Sequence, residues 1–141
     1  MKYLGLDYGS VRCGVAISDK LGIIASTYEV IKYKSTEELI KRIEEIIKDE
    51  KIEKIILGDP KNLDGSISDR SEKTYEFKNL LENIFNIEVI LEDERLTTVE
   101  AEKILLEGKV RRENRKKVID KMAARIILQS YLDRKWKYGK E

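Results

Sequence analysis

Apolar and polar positions along this chain change their spacing in a way that predicts five strands and four helices. Short apolar runs bounded by turn residues are typical of strands. Stretches with an apolar residue every three or four positions are typical of amphipathic helices. The predicted strands are Tyr3–Asp7, Cys13–Ser18, Ala25–Tyr33, Lys51–Gly58 and Ile87–Leu91.

Side chains that can cap a helix mark where the predicted helices begin. Ser35 and Glu38 have capping-box spacing, Ser68 or Asp69 opens the second helix, and Thr97 opens a short third helix that stops at Gly108. The last helix runs from about residue 118 to 136. The predicted buried faces are Leu39, Ile40, Ile43, Ile46 and Ile47 in the first helix, Phe77, Leu80, Leu81, Ile84 and Phe85 in the second, and Ile119, Met122, Ala123, Ile126, Ile127 and Tyr131 in the last.

The order of these elements predicts a mixed α/β fold. Gly9 and Ser10 form a tight turn, so the first two strands pair antiparallel. Later strands follow helices, and right-handed crossovers make them parallel to the first strand. We therefore expect one domain over residues 1–141, a five-stranded sheet of order 3-2-1-4-5 flanked by helices.

Composition narrows the chemistry that such a domain can carry. The 141 residues include 28 Lys and Arg against 27 Asp and Glu, no His and a single Cys. Without histidine, Ser-His-Asp catalysis and His-ligated zinc are excluded, which leaves carboxylates with a hard cation. No apolar run is long enough to span a membrane, and one Cys cannot form an internal disulfide, so we expect a cytoplasmic protein.

Several acids follow strands whose carboxyl ends should meet at one edge of the sheet. Asp7 ends the first strand, Asp59 follows the fourth, and Asp93 and Glu94 follow the fifth. Asp120 lies near the start of the last helix and could overhang the same edge. Carboxylates that converge repel each other, and Mg²⁺ or Mn²⁺ relieves that repulsion and serves phosphodiester hydrolysis. We predict that Asp7, Glu94 and Asp120 form a metal site.

Other interpretations of these acids stay open. Each could cap a turn or a helix, which is credible for Glu92 and Asp93. Asp93 and Glu94 are adjacent and point to opposite faces of a strand, so one of them is the ligand. Asp59 precedes Pro60, where a turn residue is common, so a fourth-ligand role is the weaker of its two interpretations.

Positive charge clusters next to the predicted metal site. Six of the nine residues from Lys109 to Lys117 are basic, and they directly precede the helix that carries Asp120. A cationic loop beside an acidic site suits binding of a phosphate backbone, although most such runs are solvated loops. The predicted nucleic-acid contacts are Arg12 and Arg95 near the cleaved bond, with Arg111, Arg112, Arg115, Lys116 and Lys117 farther along the backbone.

Four motifs together resemble the YqgF family, also called RuvX. They are GLDYGSVRCGVAISD, ILGDPKNLDGS, DERLTTVEAE and KVIDKMAARIILQSYLD, and they occur in order over nearly the whole chain. The resemblance implies a ribonuclease H-like fold, a cytoplasmic divalent-metal nuclease, and catalytic residues at Asp7, Glu94 and Asp120. Three positions depart from the family pattern: Val11 precedes Arg12 where a Lys is usual, and Asp59 and Lys61 replace apolar residues.

The resemblance also implies a substrate. Family members are described as nucleases that mature the 5′ end of precursor 16S rRNA, and the choice of RNA over DNA rests on this resemblance. The alternatives are a Holliday junction resolvase, which would need a dimer, and a binding module without catalysis. An ATPase of the DxG type would need a second domain. We expect structured nucleic acid as the partner, and a monomer or weak homodimer.

Overall fold

A computed structural model describes residues 1–61, 64–94 and 112–138 of the chain, with the side chains of residues 112–121 and 138 left aside. These ranges contain five strands and three helices. The elements are β1 (Tyr3–Tyr8), β2 (Arg12–Ser18), β3 (Ala25–Lys32), α1 (Thr36–Glu50), β4 (Lys54–Asp59), α2 (Asp69–Phe85), β5 (Val89–Asp93) and α3 (Arg112–Tyr138).

The strands form one mixed sheet of order β3-β2-β1-β4-β5, which confirms the predicted order. β1 pairs antiparallel with β2, where Asp7 faces Gly14, and parallel with β4, where Leu6 faces Leu57. β4 pairs parallel with β5 up to Asp59 and Asp93. The carboxyl ends of β1, β4 and β5 therefore lie at one edge of the sheet.

Each face of the sheet carries its own core. Leu4, Leu6 and Leu57 pack with buried residues of α1 and α2, and Tyr8 stacks on Phe77 with ring centroids 4.0 Å apart. The opposite face packs against α3 through Tyr3, Ala16, Ala25, Ile56, Ala124, Ile127, Leu128, Tyr131 and Leu132. Since successive strand residues point to opposite faces, the parity of a position in its strand decides which core it joins.

α3 lies very close to the middle of the sheet because glycine faces it there. A Cβ added to Gly5 would lie 2.8 Å from Leu128 Cβ and 3.1 Å from the carbonyl oxygen of Ala124. A Cβ on Gly14 would lie 3.5 Å from Ala124 Cβ. The helix ends toward the other edge, where Trp136 Nε1 donates a hydrogen bond to the carbonyl of Gly22.

Serine side chains cap the N-termini of both α1 and α2. Ser35 has an extended backbone and its hydroxyl accepts from the amide of Glu38, as the capping box predicts. Ser68, rather than Asp69, caps α2 by accepting from the amide of Ser71 at 3.0 Å. None of the helices that the structure describes is long and apolar enough to cross a membrane.

Several predicted details differ from the structure. α3 begins at Arg112, so residues 112–117 of the basic segment form helix rather than loop. Leu80 and Ile84 are exposed in α2, whose buried stripe begins with Ser71 and Thr74. In α3 the prediction missed Ala124, Leu128 and Leu132, while Met122 and Ala123 are half-buried. The helix predicted over residues 97–108 lies outside the described residues.

Candidate active site

Asp7 lies on the face of the sheet that α3 covers. It alternates with Leu6, which is buried on the α1 and α2 side, and it is half-buried itself. A Cβ placed on Gly14, its partner across β2, would lie 3.5 Å from both Asp7 Cβ and Ala124 Cβ. The Asp7 carboxyl therefore projects beside α3, near the carboxyl edge of the sheet.

Glu94 follows β5 and reaches back over β4 on the same face. A Cβ added to Gly58 would lie 2.9 Å from Glu94 Cδ, 3.0 Å from its Cγ and 2.7 Å from Ile127 Cδ1. The missing side chain at Gly58 thus leaves the room that the Glu94 carboxyl occupies. There the Glu94 and Asp7 side chains are hydrogen-bonded to each other.

The environment of Glu94 strongly favours its protonated form. Its pKa is raised from 4.5 to about 8, mainly by burial and then by the charge of Asp7 and the hydrogen bond with Asp7. Asp59 acts in the same direction, whereas the positive charge of Arg70 lowers the pKa. A neutral Glu94 avoids the cost of placing a second charged carboxyl group against Asp7.

Asp59 and Asp93 lie on the other face of the sheet. Asp59 is the last residue of β4 and is 3% exposed, with its Oδ2 accepting a hydrogen bond of 3.0 Å from the Tyr75 hydroxyl of α2. Its Oδ1 is buried without a hydrogen-bond partner among the described residues. Asp93 is its register partner in β5. Strand parity therefore separates these two acids from the Asp7 and Glu94 pair.

Glu92 has a structural partner that sequence reasoning missed. It is 2% exposed on the α3 face, and both of its carboxylate oxygens accept hydrogen bonds from the Arg134 guanidinium. The same hydrogen bonds raise the pKa of Arg134. No local pattern could have paired two residues 42 positions apart. The ion pair connects β5 to α3 beside the site.

Arg12 and Arg70 are two of the described cationic residues at this edge. Arg12 is exposed at the start of β2, where its carbonyl accepts from the amide of Gly9 at 2.9 Å and closes the hairpin turn. Arg12 shares the parity of Gly14 and so belongs to the α3 face. Arg70, in the first turn of α2, was not among the predicted residues. Its position in the helix that follows β4 is the signal that could have pointed to it.

The remaining predicted residues are described in less detail. Asp120 and the basic residues Arg112, Arg115, Lys116 and Lys117 belong to α3 by their backbone. Arg95 and Arg111 lie outside the described residues. Within the described part of the chain, no three His, Cys, Asp or Glu side chains form a group that could hold a metal ion.

Comparison with known proteins identifies the family. The family model RuvX, described as Holliday junction resolvase, matches residues 1–134. The chain belongs to the RuvX family. Two RuvX relatives are named as candidate pre-16S rRNA nucleases. The protein from Halothermothrix orenii is 52% identical over 133 residues, which are 94% of this chain and 95% of the relative. The protein from Bacillus subtilis is 50% identical over 135 residues, 94% of this chain and 98% of the relative.

Solved structures show the same fold as this RuvX chain. RuvC of Thermus thermophilus superposes with a TM-score of 0.55 at 14% identity and covers 99% of this chain and 98% of its own. The Holliday junction resolvase of fowlpox virus gives a TM-score of 0.53 at 14% identity, with 94% and 99% covered. These neighbours support the ribonuclease H-like fold that the sequence predicts.

Proposed function

We propose that this RuvX chain is a divalent-metal-dependent nuclease that cleaves precursor 16S rRNA at its 5′ end, in the cytoplasm, and that residues 1–141 act as a single domain. The observation that carries the proposal is the contact between Asp7 and Glu94 at the carboxyl edge of the sheet. Open α/β sheets bind ligands at this edge. The names of the Halothermothrix and Bacillus relatives point to the substrate.

The chemistry of the Asp7 and Glu94 pair fits a hard cation. In the metal-free pair one proton offsets the repulsion, as the raised pKa of Glu94 indicates. A bound Mg²⁺ or Mn²⁺ would replace that proton, since both ions prefer carboxylate oxygen ligands. Bound there, the ion would supply Lewis acidity at the phosphate. The chain supplies the ligands and the rigid strand ends that hold them.

Asp120 is the proposed third ligand. Position 120 precedes Ala124 by one helical turn, and Ala124 lies against Gly5 and Gly14, next to Asp7. α3 runs from this edge toward Gly22, so the turn before Ala124 extends toward the carboxyl edge. This placement, with the family motif KVIDKMAA, supports a role for Asp120 beside Asp7 and Glu94.

We propose that Asp59 and Asp93 have a structural role at the sheet edge and do not bind the metal. Asp59 accepts from Tyr75 on the face away from Asp7, and Asp93 is its strand neighbour. The proposed nucleic-acid contacts remain Arg12 and Arg95 near the bond, with the basic residues at the start of α3 on the flanking backbone. That set comprises Arg111, Arg112, Arg115, Lys116 and Lys117.

A second candidate function is cleavage of a Holliday junction. The family description names this activity, and a metal-bound carboxylate site serves either nucleic acid equally well. Cleaving both strands of a junction needs paired sites, hence a dimer. Light scattering with and without a four-way DNA junction separates a monomeric RNA-processing enzyme from a resolvase.

The deciding experiment compares substrates, metals and variants in one cleavage assay. Wild-type protein is incubated with precursor 16S rRNA or with a synthetic junction, in Mg²⁺, Mn²⁺ or EDTA. We expect RNA cleavage that needs metal, and Asp7→Asn and Glu94→Gln should each reduce it to background. Asp49→Asn, at an exposed position of α1, is the matched control and should cleave like the wild type.

Metal binding is tested without relying on activity. The Glu94 carboxyl must lose its proton to bind a cation, so Mn²⁺ should release protons and raise the melting temperature at neutral pH. Glu94→Gln should abolish both responses. Equal cleavage in EDTA, or full activity in Asp7→Asn, would refute the metal-dependent nuclease.

A further inference from the structure

The first turn of α2 is fastened to the end of β4. The Ser68 hydroxyl donates a hydrogen bond of 2.8 Å to the carbonyl of Pro60, the residue that follows β4. The same hydroxyl oxygen accepts from the amide of Ser71 and lies 3.0 Å from its hydroxyl. These contacts hold the start of α2 next to Pro60, at the carboxyl edge of the sheet.

A second contact fixes the following turn of the helix. Tyr75 donates to the buried carboxylate of Asp59, and Thr74 is buried next to it. A charged acceptor makes such a hydrogen bond stronger than one between neutral groups. Arg70 lies between the two contacts, at Ser68 and at Tyr75, so its backbone has a defined position relative to β4.

Arg70 borders an open depression at this edge. The depression has a volume of about 570 Å³, and its lining consists of Pro60, Ile67, Ser68, Asp69 and Arg70. It lies next to the end of β4, because Pro60 follows that strand, and the last residue of β4 pairs with Asp93 next to Glu94.

The charge of Arg70 is available to a ligand at this edge of the sheet. The side chain is exposed, and among the described residues no carboxylate lies within ion-pair distance of its guanidinium. Arg70 belongs to the helix that follows β4, and the last residue of β4 pairs with Asp93, the residue before Glu94. A guanidinium presents a planar set of donors that matches the oxygens of a phosphate.

We propose that Arg70 binds a backbone phosphate of the substrate strand next to the bond that is cleaved, with the start of α2 as its rigid support. The proposal rests on the proposed nuclease function and extends it to a residue outside the predicted basic set. Its ligand is a phosphodiester group, so its contribution should not depend on base sequence.

The test measures binding and cleavage separately. Binding of a fluorescein-labelled RNA stem with single-stranded flanks is titrated in EDTA, where no cleavage is expected, at several salt concentrations. Arg70→Gln should weaken binding and lower the log–log salt slope by about 0.7–0.9, the value for one lost phosphate contact. Lys73→Gln removes one exposed charge from the same helix and should leave both quantities near wild type.

A conservative variant separates a phosphate contact from general charge. Arg70→Lys keeps the charge and loses the planar set of donors, so it should retain the salt slope while cleavage with Mn²⁺ slows. An equal loss of affinity in Arg70→Gln and Lys73→Gln would overturn the proposal, because it would show that RNA binding responds to the positive charge of the helix in general and not to a specific contact of Arg70. Wild-type binding in Arg70→Gln would overturn it as well.

Failure of this inference can be told apart from failure of the nuclease proposal. If the wild type cleaves and Arg70→Gln binds and cleaves as well as it does, the role of Arg70 is overturned and the nuclease stands. If the wild type binds the RNA without cleaving it, the nuclease fails, and a loss of binding in Arg70→Gln still supports the phosphate contact. A wild type that does not bind the RNA overturns both.

Discussion

At the scale of single residues, the chemistry of the sheet edge depends on how closely Glu94 approaches Asp7. Glycine at position 58 leaves the space in which the Glu94 carboxyl lies, and Ile127 closes that space from α3. The carboxyl is thereby removed from water and brought against a second acid, which costs free energy unless a proton or a cation is present.

The first prediction is that Glu94 destabilises the metal-free protein as the pH rises. Its folded-state pKa, about 8, is above the ordinary value of 4.5, so the native state keeps a proton that the unfolded state releases. The free energy of unfolding should therefore decrease between about pH 4.5 and 8 and level off above. One group contributes at most about 1.4 kcal/mol per pH unit. Thermal melting in EDTA at pH 5, 6, 7 and 8 measures this decrease.

Glu94→Gln should remove the decrease, because the amide does not titrate. Its melting temperature should exceed that of the wild type at pH 8, and the two should converge near pH 5. Glu76→Gln, at an exposed position of α2, serves as the control and should follow the wild type. Parallel melting curves for the wild type and Glu94→Gln at every pH would contradict the prediction.

The sequence predicted Asp7 and Glu94 as metal ligands, but it did not determine on which face of the sheet each of the acids lies. β4 was predicted to stop at Gly58, which made Asp59 a loop residue with no defined side. The structure extends β4 to Asp59, and parity then directs its carboxyl to Tyr75. Whether β4 ends at Gly58 or one residue later decides on which face of the sheet Asp59 lies. The hydrophobic pattern does not define the end of a strand to a single residue.

At the scale of elements, the depth at which α3 packs on the sheet sets the geometry of the site. Gly5 in β1 allows the helix backbone to approach, and Ala124 is the helix residue that fills the contact. Two contacts hold α3 to the two outer strands of the sheet. They are the Glu92–Arg134 ion pair at β5 and a hydrogen bond from the amide of Ala25, in β3, to Gln129. A change in packing depth would move the turn that precedes Ala124.

The second prediction concerns this contact. In Gly5→Ala the new methyl group would lie 2.8 Å from Leu128 Cβ and 3.1 Å from a backbone oxygen, neither of which can turn away. We expect a loss of about 1–3 kcal/mol of stability from overpacking. Cleavage should also fall, since α3 must shift. Urea unfolding and the cleavage assay measure the two effects.

Gly14→Ala is the matched control for Gly5→Ala. Its Cβ would make ordinary contacts of 3.5 Å with Ala124 and Asp7. Where the backbone allows alanine, such a change stabilises by about 0.4–1 kcal/mol through the unfolded chain. Equal destabilisation by the two variants would show that the approach of α3 is not what Gly5 provides.

The packing of α3 also shows what the hydrophobic pattern misses. Strand order followed from the hairpin and the crossovers, which short-range signals define well. The buried face of α3 was wrong in part because Ala124, a small residue, occupies its centre. In α2 the buried stripe starts at Ser71 and Thr74, whose hydroxyls are hydrogen-bonded. Because the prediction considered only apolar residues, it placed Leu80 and Ile84 on the buried face.

At the scale of the whole molecule, positive and negative charges are nearly equal in number, but each sign clusters in its own region. The net charge is +1, so affinity for a polyanion must come from local clusters. The described acids Asp7 and Glu94 lie at the carboxyl edge, and six of the nine residues from Lys109 to Lys117, most of them in the first turns of α3, are basic. We propose that this segment brings a nucleic-acid backbone near the carboxylates.

The last prediction tests that arrangement through salt dependence. Replacing Arg111, Arg112 and Arg115 with Ala should weaken RNA binding to a similar degree for unrelated sequences. It should lower the log–log salt slope by roughly 2–3, at about 0.7–0.9 for each lost contact. The control variant replaces three exposed lysines in the β2–β3 turn and α1, Lys20, Lys41 and Lys48, and so removes the same charge. If net charge governed binding, both triple variants would lose the same slope. We expect the control to retain the wild-type slope, because the proposed phosphate contacts are in the basic segment and not at these lysines.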